Sequence, residues 1–333
     1  MTLMADRDQI LSRLILALPG EDLADRAHSL LMQQEESWPQ LREGYAGLRA
    51  IEARAFAFDG VTIRVEFNPG RLASTSANTD SIRDRPCFLC PANLPTGQRG
   101  ILAPGGLIVL CNPFPIFREH FTIAHAAHTQ QRIAGHFGTM LDLAREMQAR
   151  YHVLYNGPHC GASAPDHLHF PGGEKGFSPI ENEVDGAIGR GETVAERGGA
   201  SMIAVDDGLR RYVVIEGDAR DDLISALDML QGVLGGEGGD EPMMNIVASY
   251  EKRRWRVLVF PRAKHRPSFF FAEGDAKILI SPGVIDCCGV CVTPRRSDFD
   301  RLTGDHIREM FREVMPSPQE FAGTISRLRG RAV

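Results

Sequence analysis

From Asn156 to Gly173 the chain reads Asn-Gly-Pro-His-Cys-Gly-Ala-Ser-Ala-Pro-Asp-His-Leu-His-Phe-Pro-Gly-Gly. Turn formers lead into a loop of small residues, then a short polar/apolar alternation, then a Pro-Gly-Gly exit. The alternation predicts a strand with His167 and His169 on one face and Leu168 and Phe170 packed behind. Two imidazoles aimed into one site can divide the work of nucleophile, proton carrier and metal ligand. In the loop ahead of them, the backbone N–H groups of Gly161 and Ala162 and the hydroxyl of Ser163 can approach an anion closely, which suits a phosphate. The plainer alternative is a surface strand with two incidental histidines behind an ordinary turn.

Apolar periodicity extends the reading along the chain. Residues 1–50 have helical spacing, with segments at Ile10–Leu18, Leu23–Gln34 and Trp38–Leu48. Ala55 to Phe67 switches to period two and predicts a hairpin turning at Asp59-Gly60. It ends in Asn68-Pro69-Gly70-Arg71 and a Ser/Thr/Asn-rich loop to Thr79, where Asn68 and Arg71 are candidates to meet a phosphate and simple solvation is the alternative. Cys87-Phe88-Leu89-Cys90, between prolines, is half a zinc site, a redox pair or two buried thiols. A strand at 107–110, a proline-rich turn, a strand at 119–128, a helix over Thr129–Tyr151 and a strand at Val153–Tyr155 follow. Eight of the 11 histidines lie between His120 and His169, a bias that a metal or imidazole-catalysis site produces. Cys287, Cys288 and Cys291 sit in an apolar run, 284–292, that reads as a strand. Residues three apart there face opposite ways, so buried thiols are the better reading.

Further on, strands are expected at Met244–Tyr250, Trp255–Phe260, Ser268–Phe271 and Ile278–Ile280. Lys264, His265 and Arg266 make a compact basic cluster open to a phosphate or sugar phosphate, or simply to solvent. Gly232–Gly239 reads as a flexible linker and Asp298–Arg329 as a basic amphipathic helix.

Together, Asn112-Pro-Phe-Pro, Glu119-His-Phe-Thr-Ile-Ala-His-Ala-Ala-His128, the helix, Leu154-Tyr-Asn156, Gly161-Ala-Ser163 and His167-Leu-His-Phe170 resemble the histidine-triad (HIT-like) superfamily. The branch is that of galactose-1-phosphate uridylyltransferase, diadenosine tetraphosphate phosphorylase and GDP-L-galactose phosphorylase. The pattern is also similar to an uncharacterised bacterial family known only as a domain of unknown function. The resemblance implies an α+β fold: a HIT-like antiparallel sheet with packed helices in two HIT-like halves, only the first carrying His-x-His. The implied organisation is an N-terminal helical segment (1–50), a catalytic half with a zinc knuckle (51–180), a second half (181–315) and a C-terminal helix or tail (316–333). It further implies a structural zinc on Cys87, Cys90, His128 and His167, with His169 as the nucleophile that takes a nucleoside monophosphate. Asn156 and Ser163 match positions that orient the histidine or hold the α-phosphate. The motif usually continues to a glutamine. Here Pro171 stands instead, with neither side-chain donor nor N–H, so one transition-state contact is lacking or comes from elsewhere.

The expectation is therefore a nucleotidyltransferase or phosphorylase acting on a nucleoside diphosphate sugar or dinucleoside polyphosphate, with phosphate or a sugar phosphate as acceptor. The rivals are a non-catalytic nucleotide-binding protein on the same fold and a zinc-dependent hydrolase using a carboxylate such as Asp166. A net charge of −6 gives no general attraction to nucleic acid or anionic membranes. The N-terminus lacks signal-peptide features, no stretch is long and apolar enough to span a membrane, and the seven cysteines are an odd number, so a cytoplasmic protein with free or metal-bound thiols is expected. A homodimer is left open.

Overall fold

The computed structural model describes residues 9–76, 86–236 and 240–331. The first eight residues, part of the Ser/Thr/Asn-rich loop, part of the glycine-rich linker and the last two residues lie outside the described residues. In chain order the strands are β1 (Glu52–Phe58), β2 (Val61–Phe67), β3 (Gly100–Ala103), β4 (Leu107–Cys111), β5 (His120–His125), β6 (Tyr151–Asn156) and β7 (His169–Glu174). They continue with β8 (Glu192–Arg197), β9 (Ala200–Asp206), β10 (Arg211–Gly217), β11 (Met244–Glu251), β12 (Arg254–Pro261) and β13 (Val290–Thr293).

Ten of these form one sheet in the order β3-β4-β5-β7-β6-β11-β12-β10-β9-β8, antiparallel throughout. Each half runs first, second, third, fifth, fourth strand, and each inserts a helix between its third and fourth strands: Phe137–Glu146 in one, Arg220–Leu234 in the other. The halves meet at β6 and β11, where Asn156 pairs with Asn245 and Val153 with Ala248. Aligning the two inner ladders, Tyr151 opposite Glu174 on Met244 opposite Pro261, sets His169 against Arg256. The second half thus carries a guanidinium where the first carries an imidazole. Arg256 is held by Glu216 at 2.6 Å and Asp185 at 2.7 Å.

Alternation along the strands gives the sheet two buried faces. Leu168 and Phe170 join Tyr151, Val153, Ile246 and Val257 under the helices Leu23–Ser37, Pro39–Arg49, Phe137–Glu146 and Arg220–Leu234. The opposite face, with Leu154, Val247 and Leu258, is covered by β1-β2-β13 and the helices Ile180–Arg190 and Gly304–Val314. The hairpin turns at Asp59 (φ 45°) and Gly60 (φ 95°), the left-handed pair that a two-residue hairpin requires. β13 lies parallel to β2, so residues far apart in the chain close this second sheet.

Several expectations are corrected. Ser268–Phe270 is a 3-10 turn after Pro267, its aromatic rings packed inward, and residues 278–280 form no strand although Ile278 and Ile280 are buried. Residues 284–292 divide at Gly289 (φ 96°) into a short helix, Val284–Cys287, and β13. The helix expected from Thr129 starts only at Phe137, because the preceding residues bond to strand ends. The C-terminal amphipathic stretch is three helices, broken where Thr303 caps the second and where Pro316 and Pro318 interrupt the backbone. No helix among the described residues is long and apolar enough to cross a membrane.

Candidate active site and metal centre

β7 begins at His169, and the imidazole is 3 % exposed. Its Nδ1 lies 2.8 Å from the carbonyl of His167. A carbonyl only accepts, so Nδ1 carries the proton and Nε2 keeps its lone pair. Burial lowers the His169 pKa to about 4, and the bond to the His167 carbonyl offsets this only in part. The ring is therefore neutral at physiological pH, with the tautomer that leaves the Nε2 lone pair unprotonated.

The same logic applies two residues earlier. His167 directs Nε2 at the carbonyl of His125, 2.8 Å away, and so must donate there, leaving its Nδ1 lone pair 3.2 Å from Cys87 Sγ and 3.7 Å from Cys90 Sγ. His128 Nδ1 is 3.3 Å from Cys90 Sγ, and one ligand atom from each of the four residues lies within 4.8 Å of the others. In a tetrahedral shell with bonds of about 2.3 Å to sulfur and 2.0–2.1 Å to nitrogen, S···N edges of about 3.5 Å follow. The Cys2His2 donor set and spacing fit a divalent ion in a closed shell. Burial, then the neighbouring Cys87 sulfur, push the Cys90 thiol up to about 11, a disfavoured thiolate that a bound cation stabilises. Asp166, the carboxylate of the rival hydrolase reading, lies 3.7 Å from His128 Nε2.

Asn156, at the end of β6, accepts from Val284 N–H and from Asn245 Nδ2, each at 2.8 Å, so its Oδ1 is committed to the scaffold and Nδ2 is the atom left for a ligand. Gly161 has φ 110°, and a Cβ there would stand 2.9 Å from the Gly283 Cα, so the loop requires glycine on both conformational and steric grounds. Ala162 is half-buried and Ser163 exposed on that loop.

The remaining phosphate-binding candidates separate. Asn68 is buried and donates to the Pro115 carbonyl. Arg71 donates to the Phe114 carbonyl; burial lowers its pKa to about 10, with Asp286 opposing. Arg266 bonds Ser281 at 2.8 Å and lies over the Phe270 ring. Lys264 is turned toward Glu313, 2.6 Å away, in an ion pair. The dense histidine run also resolves into separate roles: His120 accepts from Ile116 N–H in the core, and His152 pairs with Glu181. A cavity of about 400 Å³ lined by His152, Glu181, Ser249 and Arg256, with Cys288 also in its wall, lies at the junction of the two halves and includes neither His169 nor Cys87 and Cys90.

Sequence reasoning missed three buried polar residues that tie this region together. Asn245 Nδ2 bridges Asn156 Oδ1 and the Cys160 carbonyl, both at 2.8 Å. Arg262, 6 % exposed, donates to Asn245 Oδ1 at 2.5 Å and to the carbonyls of Pro282, His265 and Val314. Gln131, 1 % exposed, bonds β6 and β7. Asn245 does interrupt an apolar strand and could have been flagged; Gln131, in a Thr-Gln-Gln-Arg run, carries no such signal.

Two family models match the chain. Residues 30–174 match one described as a domain of unknown function (DUF4922), and residues 240–328 match the GDPGP1-like C-terminal domain. Among solved structures, yeast Ap4A phosphorylase Apa2 in complex with Ap4A is similar at 17 % identity and a TM-score of 0.59, over 87 % of this chain and 97 % of that one. The same yeast protein in complex with AMP is similar at 18 % identity and a TM-score of 0.57, over 86 % and 96 %. No curated protein matches the sequence significantly. At these identities the structural likeness is one of fold.

Proposed function

With a HIT-like chain of the phosphorylase and transferase branch as the premise, we propose that this protein is a nucleotidyltransferase working through a nucleotidyl-His169 intermediate, on a dinucleoside polyphosphate or a nucleoside diphosphate sugar. The observation that carries the reading is the fixed His169 tautomer: Nδ1–H is spent on the His167 carbonyl, so Nε2 is an unprotonated nucleophile without a separate base. The Nε2 lone pair attacks the α-phosphorus, the bond from that phosphorus to the bridging oxygen breaks, and the leaving phosphate takes the electron pair. In the second step an oxygen of inorganic phosphate or a sugar phosphate attacks the same phosphorus and His169 leaves neutral. Amides of the Gly161–Ser163 loop, if aimed at the non-bridging oxygens, supply on the order of 3 kcal/mol per donor.

The ion on Cys87, Cys90, His128 and His167 is in this reading zinc, and structural. Bound there, it would hold the loop carrying the cysteines to the approach of β7, and four protein donors would leave no open position for substrate.

The test is intact mass after brief incubation, without acceptor, with Ap4A and a panel of nucleoside diphosphate sugars. An increase of one nucleoside monophosphate that His169→Asn abolishes supports the reading and identifies the base. No adduct, with nucleotide binding retained, overturns it in favour of a binding protein.

A further inference from the structure

β6 and β7 pair only at Tyr151–Glu174, His152–Gly173 and Val153–Gly172. Continued in register, the ladder would set Asn156 opposite His169 and Leu154 opposite Pro171. Pro171 has no N–H to give, and from that point the two strands exchange no further ladder bonds. Both strands stay bonded on their outer sides, β6 to β11 and β7 to β5. The opening is therefore local, a wedge that begins beside the nucleophile.

The Gln131 side chain fills that wedge as an inserted peptide group would. Its Oε1 accepts from His169 N–H at 2.8 Å, and its Nε2 donates to the carbonyls of Asn156 at 2.9 Å and His169 at 3.2 Å. One primary amide supplies one acceptor and two donors, and here all three are used. Two residues away the Thr129 carbonyl accepts from Leu168 N–H at 2.6 Å, and Leu168 O accepts from His125 N–H at 2.9 Å. The peptide groups on both sides of Leu168 are thus held from outside the strand. They fix the His167 carbonyl, which in turn fixes the His169 tautomer.

We infer that Gln131 is a positioning residue for the His169 nucleophile: its amide replaces the ladder that Pro171 interrupts and sets the direction of Nε2. The inference rests on the nucleotidyl-His169 reading for its kinetic consequence, but its structural content is independent of turnover. Gln131→Met keeps length and bulk and removes all three hydrogen bonds; Gln131→Glu keeps the acceptor and removes both donors.

Three measurements separate the inference from the reading beneath it. In single-turnover experiments, Gln131→Met slows formation of the nucleotide adduct by tenfold or more, a displacement of about an ångström being enough to cost up to about 100-fold. AMP affinity, measured for both chains in the His169→Asn background, stays unchanged. In ¹⁵N-histidine-labelled protein, the wild-type His169 imidazole shows the Nδ1–H form, and Gln131→Met shifts it toward a mixture of tautomers. If the wild-type chain forms no adduct, the catalytic reading fails while the imidazole spectrum still decides the role of Gln131. An unchanged His169 imidazole signature in a folded Gln131→Met protein overturns the inference. So does an adduct rate equal to wild type.

Discussion

At the scale of single residues, the protein's titratable groups are set by what the backbone offers them. His169 and His167 sit two apart and use opposite ring nitrogens for backbone carbonyls, which leaves one with Nε2 free and the other with Nδ1 turned to sulfur. Identical side chains thereby acquire different chemistry without any difference in composition. At the other end of β6, Glu181 shows the same dependence on partners. Burial alone would raise its carboxyl, but hydrogen bonds from His152, Gly176 and Ser178 outweigh it and bring the pKa from 4.5 down to about 2. A folded-state pKa below the ordinary value means stabilisation that is complete above pH 4.5 and is lost as pH falls toward 2. Glu181→Gln should therefore cost on the order of 2 kcal/mol at pH 6, after allowance for solvent screening, and less as the solution is acidified. Urea titrations of both proteins at pH 6 and 3.5 measure the difference. A penalty that does not shrink on acidification rules out the carboxylate as its source.

At the scale of elements, the Cys87–Cys90 loop has almost no regular structure of its own. A 3-10 turn at Pro91–Asn93 and the bond from Asn93 to the Cys87 carbonyl shape it, and only Leu89 and Leu94 are well buried. A metal bound to His128 and His167 would tie this loop to both ends of the β5-to-β7 connection. Cys87→Ser should then reduce the metal content of purified protein from one ion per chain to a small fraction and lower the melting temperature by several degrees, read by elemental analysis and calorimetry. Full metal retention would assign the ion to other residues. The Cys-x-x-Cys motif made half of this cluster legible in the sequence. So were the strands whose residues alternate or run continuously apolar, such as β4, β6, β11 and β12, because one or both faces are buried and period two survives. The resemblance supplied His128 and His167, while other segments were illegible for physical reasons. Ser268–Phe270 has the aromatic content of a strand, but Pro267 starts a 3-10 turn that buries the rings without a ladder partner. The residues after Thr129 have helical composition but spend their groups on strand ends, Gln131 on β6 and β7 and Ile133 N–H on Glu241. Those bonds depend on tertiary neighbours that local periodicity does not encode.

At the scale of the whole molecule, the proposed chemistry falls in one half of a repeated arrangement. The two halves share strand order and helix placement, yet the position matching His169 holds Arg256, locked between Glu216 and Asp185 and incapable of nucleophilic attack at neutral pH. The second half contributes by another route. Arg262, following β12, donates to Asn245 at the start of β11; Asn245 donates to Asn156 and to the Cys160 carbonyl; and Asn156 accepts from Val284, whose neighbour Gly283 lies against Gly161. A polar chain buried in this way leaves several groups unsatisfied when one link is removed, at about 1–3 kcal/mol each. Asn245→Ala should accordingly cost about 3 kcal/mol of stability and, below its melting point, slow nucleotide transfer by more than tenfold through displacement of Asn156 and the Cys160–Gly161 backbone. Arg256→Ala should leave both the transfer rate and the limit of one adduct per chain untouched. Adduct stoichiometry by intact mass, with urea unfolding of the same two variants, checks the pair. A second adduct per chain, or a transfer defect in Arg256→Ala as large as in Asn245→Ala, would mean that the second half takes part in the chemistry as well as bracing it.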